Sequence, residues 1–287
     1  MRGRFVRRVL DLALVAVVSM GATSCANLAA IRDFATISSE TASYTQLVSD
    51  YVASPTVQKR YQPPSNAGRL DEQAATRALQ APQLLFLHKS VAEYMDAMGK
   101  LAADEAPIYD KELDSLGSSA KNAKLADEKT VTAATTLGKC VFRAVADGWR
   151  RRQLANLVAD ADSSLQTVVA GLQVVTRAFF DDLDNERQAL HIYYEDLCRL
   201  SSQAGGDAAA AGVAALKEWR DSRLEAIKAR ERAINAYGGV LEHIAKGHAK
   251  LYAERGRLSD KQLLSEMGQA TKQMRELFGA VRELGGR

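Results

Sequence analysis

From Ala30 onward the apolar side chains recur at alternating intervals of four and three. Ala30, Phe34, Ile37, Thr41, Tyr44, Val48 and Tyr51 fall on one stripe of a helix. That spacing predicts a first helix running to Ser54, with Pro55 as its stop, because proline removes a backbone donor and clashes with the preceding turn. The stretch 55–68, with Pro63-Pro64-Ser65-Asn66, is expected as a turn-rich connector. A second helix is predicted to about Ala103 on the stripe Leu84, Leu87, Val91, Tyr94, Met98 and Leu101, with Pro82 as a tolerated proline or a kink.

Pro107 interrupts that pattern; a weaker helical segment to Leu116 and a loop around Gly117-Ser118-Ser119 and Asn122 follow. From about Asp127 to Ser202 there is no proline, and Leu165, Val168, Leu172, Val175, Phe179 and Leu183 repeat in heptads. Gly148 and Asp160-Ala161-Asp162-Ser163 are its candidate breaks, and Gly205-Gly206 reads as a turn. The next helix carries Val213, Leu216, Ile227, Ile234, Tyr237, Leu241, Ile244, His248 and Leu251. Ser259 reads as the cap of a last helix on Leu263, Met267, Ala270, Met274, Leu277, Val281 and Leu284. Helices of about 50 residues would be ~75 Å long, too long for a ball. The expected fold is all-α: an elongated antiparallel bundle of coiled-coil-like helices hinged at Gly205-Gly206.

Composition supports helices, since aromatic residues are 6% of the chain against 47% hydrophobic, enough to build a core. The charge of +3 has a local origin. Residues 1–24 contain Arg2, Arg4, Arg7 and Arg8 against Asp11, so removing them reduces 38 basic and 35 acidic residues to 34 of each. A formally neutral remainder argues against a nucleic-acid partner, which needs a clustered basic excess.

Those first 24 residues have the three parts of an export signal: an arginine-rich start, the apolar run Leu12-Ala13-Leu14-Val15-Ala16-Val17-Val18, and small residues before Cys25. The run is short of the ~20 residues needed to span a bilayer. The segment Ala22-Thr23-Ser24-Cys25 resembles the lipobox of bacterial lipoproteins. The resemblance covers the leader alone. It implies cleavage between Ser24 and Cys25 and acylation of Cys25 as the first mature residue. Ala26 is not the aspartate that retains such proteins in the inner membrane, which implies an outer-membrane anchor facing the periplasm if the cell is Gram-negative, and a lipid anchor in the cell membrane otherwise. The expected organisation is a removed leader over 1–24, an anchor-proximal helix over 25–54, the connector 55–68 and an elongated bundle over 69–287.

Candidate chemistry in the mature chain is sparse. Cys140 and Cys198 lie on one predicted helix, ~87 Å apart if it is unbroken and still more than ~20 Å out of register after a reversal, so both are expected as buried, unpaired thiols rather than a disulfide. His88, His191, His243 and His248 form neither HExxH nor Glu-x-x-His, and His248 falls on the core stripe, which points to a packed histidine rather than a metal ligand. Asp181-Asp182-Leu183-Asp184-Asn185-Glu186 lacks the glycine of a calcium loop and reads as a solvated helix face. Ser118-Ser119-Ala120-Lys121 matches the short S-x-x-K pattern without its partner motifs or a sheet to carry it. Trp149-Arg150-Arg151-Arg152 is the one basic cluster beside an aromatic ring, a candidate surface for anionic headgroups or an acidic partner.

The expectation is a non-enzymatic, lipid-anchored envelope protein without a cofactor, acting as a helical structural or protein-interaction module. Its protein partner is not specified by the residues. The alternative is a periplasmic small-ligand or metal carrier built around His248, Tyr237 and a cysteine.

Overall fold

A computed structural model describes residues 28–105, 128–146 and 151–285; of Arg151 and 283–285 it describes the backbone alone. The chain is all-α. Its helices are α1 (Ala29–Ala42), α2 (Gln46–Gln58), α3 (Ala67–Ala103), α4 (Glu128–Ala146), α5 (Leu154–Ser202), α6 (Gly206–Ala253) and α7 (Lys261–Gly285). The stripes read from the sequence are buried: Phe34 and Ile37 on α1, Leu84, Leu87, Tyr94 and Met98 on α3, Leu165, Val168, Leu172 and Leu183 on α5, and Ile234, Leu241 and Ile244 on α6.

The long hairpin is the spine. α5 and α6 pack along one another, each ~70 Å long. They reverse at Gly205 and Gly206, whose φ values of 67° and 79° suit glycine and few other residues. Against this spine α3 and α4 run antiparallel to α5, and α1 and α7 run antiparallel to α6. Thr130 of α4 meets Gly171, Gly99 of α3 meets Ala35, Gly247 of α6 meets Phe34, and Gly239 of α6 meets Leu277.

The bundle therefore has two unlike ends. Ala103, Leu154, Ala253 and the start of α1 lie together at a base. The opposite end is the two-helix tip around Gly205-Gly206. Between 195 and 226 no residue is fully buried, because α2 and α3 reach only as far as the ring contacts of Tyr61 with Tyr193 and Tyr194.

Four local expectations are corrected. The first helix breaks at Ser43–Thr45 instead of running to Ser54. Ser38, Thr41 and Ser43 each turn a hydroxyl back on the carbonyl four residues earlier, which bends a helix and competes with its ladder. Pro55 does not stop α2 but sits inside it. The proline has no N–H for the carbonyl of Tyr51; Arg77 Nη1 donates to that carbonyl instead, at 3.0 Å. Asp160–Ser163 is no break but part of α5. The last helix is capped by Asp260, not Ser259: its Oδ1 accepts from the backbone N–H groups of Gln262 and Leu263 at 2.9 and 3.1 Å.

Candidate functional site

Two histidine–tyrosine pairs are sealed into the bundle. In the first, His248 of α6 is fully buried between Asp162 of α5 and Tyr94 of α3. Its Nδ1 lies 2.8 Å from Asp162 Oδ1, and its Nε2 lies 2.6 Å from the Tyr94 hydroxyl. The hydrogen bond from His248 holds the Asp162 carboxyl below the usual carboxylate range, so an ionised Asp162 accepts from Nδ1–H and Nε2 accepts from Tyr94. Burial drives the Tyr94 phenol far above its ordinary value, so it keeps its proton. The trio ties three helices together and offers no activated nucleophile.

The second pair lies about three turns up the same helix. Tyr237 stacks on His88 of α3 with ring centroids 5.6 Å apart, its hydroxyl 3.0 Å from Nδ1. The same Nδ1 is 3.2 Å from the carbonyl of Ala42, at the end of α1. Burial lowers the His88 pKa to about 4 and raises that of Tyr237, so both groups are neutral at neutral pH. A neutral Nδ1–H serves the Ala42 carbonyl, one of the acceptors that every helix end leaves over. A cavity of about 30 Å³ opens beside this pair, walled by Leu84, Leu172, Val175 and Phe179. That is room for about one water molecule.

Above the cavity, charged side chains cross the interior. Arg77 pairs with Asp182 of α5 and lies 4.2 Å over the Tyr51 ring, while Gln58 Nε2 donates to the Asp182 carbonyl at 3.0 Å. Burial raises the Asp182 pKa and Arg77 opposes it. Glu186 accepts from Arg230 of α6 at 2.8 Å, and its Oε2 has no partner among the described residues. The acidic run is thus a solvated face only in part, with Asp181 and Asn185 exposed. Asp182 and Glu186, one turn apart, point to the neighbouring helices; Asp184 pairs with Arg187 nearer the surface.

On the outer side of the spine α5 and α6 enclose a groove of about 380 Å³. Phe180, Ile234 and Gly238 line it with Gln173, Arg177, Asp181, Asn235 and Glu242, and it shares Thr176 and Ile234 with the wall of the inner cavity.

The residues singled out in the sequence are scattered. Ser24, Cys25, Ser118, Lys121, Trp149 and Arg150 lie outside the described residues. Arg151 and Arg152 form a 3-10 turn at the base, with Arg152 exposed. Cys140 and Cys198 are free thiols; Cys140 is buried, and burial pushes its thiol up, but Cys198 is only half-buried because it lies on the thin tip. His248 and Tyr237 do not share a site, being ~16 Å apart along α6 with different partners. No cluster of three or more His, Cys, Asp or Glu among the described residues is arranged to hold a metal ion.

Periodicity passed over Arg77, Asp162 and Glu186, although each was in phase with a stripe. Leu70-Arg77-Leu84, Val158-Asp162-Leu165 and Leu183-Glu186-Leu190 are helical repeats with a charge in the core register.

No protein-family model matches the chain, and neither a curated protein nor a solved structure is significantly similar to it.

Proposed function

We propose that this is a lipid-anchored envelope protein that acts by binding, held by acyl chains on Cys25 at the periplasmic face of an outer membrane and presenting its helical tip to a protein partner. One observation carries the reading. Leu28, three residues after Cys25, lies at the base of the bundle, at the opposite end from Gly205-Gly206. Phe34 packs on Gly247, and from there α6 runs ~60 Å to the tip. A chain anchored at Cys25 would therefore stand on its base and hold the tip away from the bilayer.

The tip suits a binding role. It is the thinnest part of the bundle among the described residues, and Leu200 and Trp219 are more than half exposed there. Tryptophan is enriched among the side chains that anchor interfaces. The 3-10 turn of Arg151 and Arg152 lies at the base, where it would meet anionic headgroups in the same orientation. No helix among the described residues is long and apolar enough to cross a membrane. Each buried acyl methylene contributes about 0.8 kcal/mol, and two or more chains suffice for stable attachment.

The test is intact mass and membrane partitioning of the chain expressed in a Gram-negative host, beside Cys25→Ala. An acylated product that begins at Cys25 and becomes soluble on substitution supports the reading. An unmodified chain that stays soluble in both forms overturns it.

A further inference from the structure

We propose that the outer groove between α5 and α6 binds a small zwitterion of the amino-acid or dipeptide class, with the ligand carboxylate on Arg177 and its ammonium on Asp181. This proposal stands independently of the lipid anchor.

The groove has the volume of a ligand site: about 380 Å³, within the range of roughly 300–1,000 Å³ typical of small-molecule pockets. Its charges are also unspent. Some charges on α5 and α6 pair off, as Asp184 does with Arg187, Glu186 with Arg230 and, at the groove's own edge, Glu242 with Lys246. Arg177 and Asp181, both exposed at the mouth of the groove, sit one turn apart on α5 and, like Lys217 and Arg223 of α6, enter no ion pair or hydrogen bond among the described residues. A basic residue preceding an acidic one by four is the less favourable order on a helix, because each charge lies toward the wrong end of the dipole. Both groups are left for a ligand, and a ligand that satisfies both carries both signs.

The remaining lining narrows the class. Gln173 and Asn235 offer amide donors and acceptors such as a peptide unit takes, and Phe180 and Ile234 give an apolar floor for a short aliphatic side chain. A phosphate or a simple sugar would leave either Asp181 or that floor unused.

Gly238 adds a second line of argument. Glycine inside a helix costs about 1 kcal/mol relative to alanine. Packing explains Gly239, where a β-carbon would lie 3.1 Å from Leu277 Cδ1. It does not explain Gly238, where a β-carbon would make only an ordinary 3.6 Å contact with Thr176. What a larger side chain at 238 would occupy is the groove itself.

The experiment is titration of the protein with glycyl-L-leucine, followed by backbone amide NMR and calorimetry. The expected result is saturable binding with shifts confined to 173–181 and 234–242. Arg177→Gln is expected to weaken it about tenfold, equivalent to roughly 1.4 kcal/mol, and Gly238→Leu to abolish it. Wild type should bind the carboxyl-amidated dipeptide as weakly as Arg177→Gln binds the free one. Because Arg177 holds no partner, that variant should unfold at the wild-type temperature, which separates loss of binding from loss of fold. Absence of shifts at millimolar dipeptide, binding undiminished in both variants, or acetate binding as well as the dipeptide would each overturn the proposal.

Discussion

The ring of Phe34 occupies the space that a β-carbon on Gly247 would need: such an atom would lie 2.5 Å from Cε2 and Cζ. This close approach fixes α1, and with it the start of the described chain, to the base of the long hairpin. The neighbouring contact of Gly99 with Ala35, at 3.2 Å for an added β-carbon, holds the same helix from its other side.

Gly247→Ala should accordingly destabilise the protein by about 1–3 kcal/mol, since Phe34 is fully buried and has little room to yield. Gly268→Ala on α7, where a β-carbon meets nothing within 4 Å, should be neutral or stabilising by up to about 1 kcal/mol. Urea unfolding of the two variants checks this pair; equal effects would contradict the packing described.

Arg77→Met should cost about 3–5 kcal/mol, because it strands a buried Asp182 and removes the donor to the Tyr51 carbonyl. In a Pro55→Ala background the helix supplies its own N–H to that carbonyl, and the penalty should shrink by about 1 kcal/mol. A double-mutant cycle measures the difference, and strict additivity would show that Arg77 does not stand in for the missing N–H.

His88 makes stability depend on pH. In the unfolded chain it takes up a proton near its ordinary value of 6.5, whereas the folded protein holds it neutral down to about 4. The unfolded state therefore binds more protons in that window. Stability from this group is complete above about pH 6.5 and falls as the pH drops to about 4, by roughly 3 kcal/mol at ~1.4 kcal/mol per pH unit. His88→Gln should flatten the profile between those limits. A slope unchanged by the substitution would locate the acid sensitivity elsewhere.

Much of the architecture was legible because long amphipathic helices advertise themselves. The heptads of α5, the stripe of α6 and the glycine pair between them required nothing beyond local pattern. What escaped was decided by contacts distant in sequence. Pro55 reads as a helix stop until Arg77 is seen serving the Tyr51 carbonyl, and Asp182 and Glu186 read as a wet surface until Arg77 and Arg230 are placed against them. Of the interior site, His248 was legible from its place on the stripe. Its partners Asp162 and Tyr94 come from helices that only the fold brings together. The outer groove carried no sequence signal, since Arg177 and Asp181 are ordinary polar residues of a helix surface until the groove is seen around them.

The most direct test of the central claim is fluorescence energy transfer from a single label to acceptors in the headgroups of a bilayer carrying the lipidated protein. One label is placed at the tip by Gln203→Cys and the other at the base by Ala253→Cys, both exposed positions, with Cys198→Ser removing the half-buried thiol. A chain standing on its base predicts strong transfer from position 253 and little from position 203, ~70 Å farther out. Equal transfer from both, or stronger transfer from the tip, would contradict it.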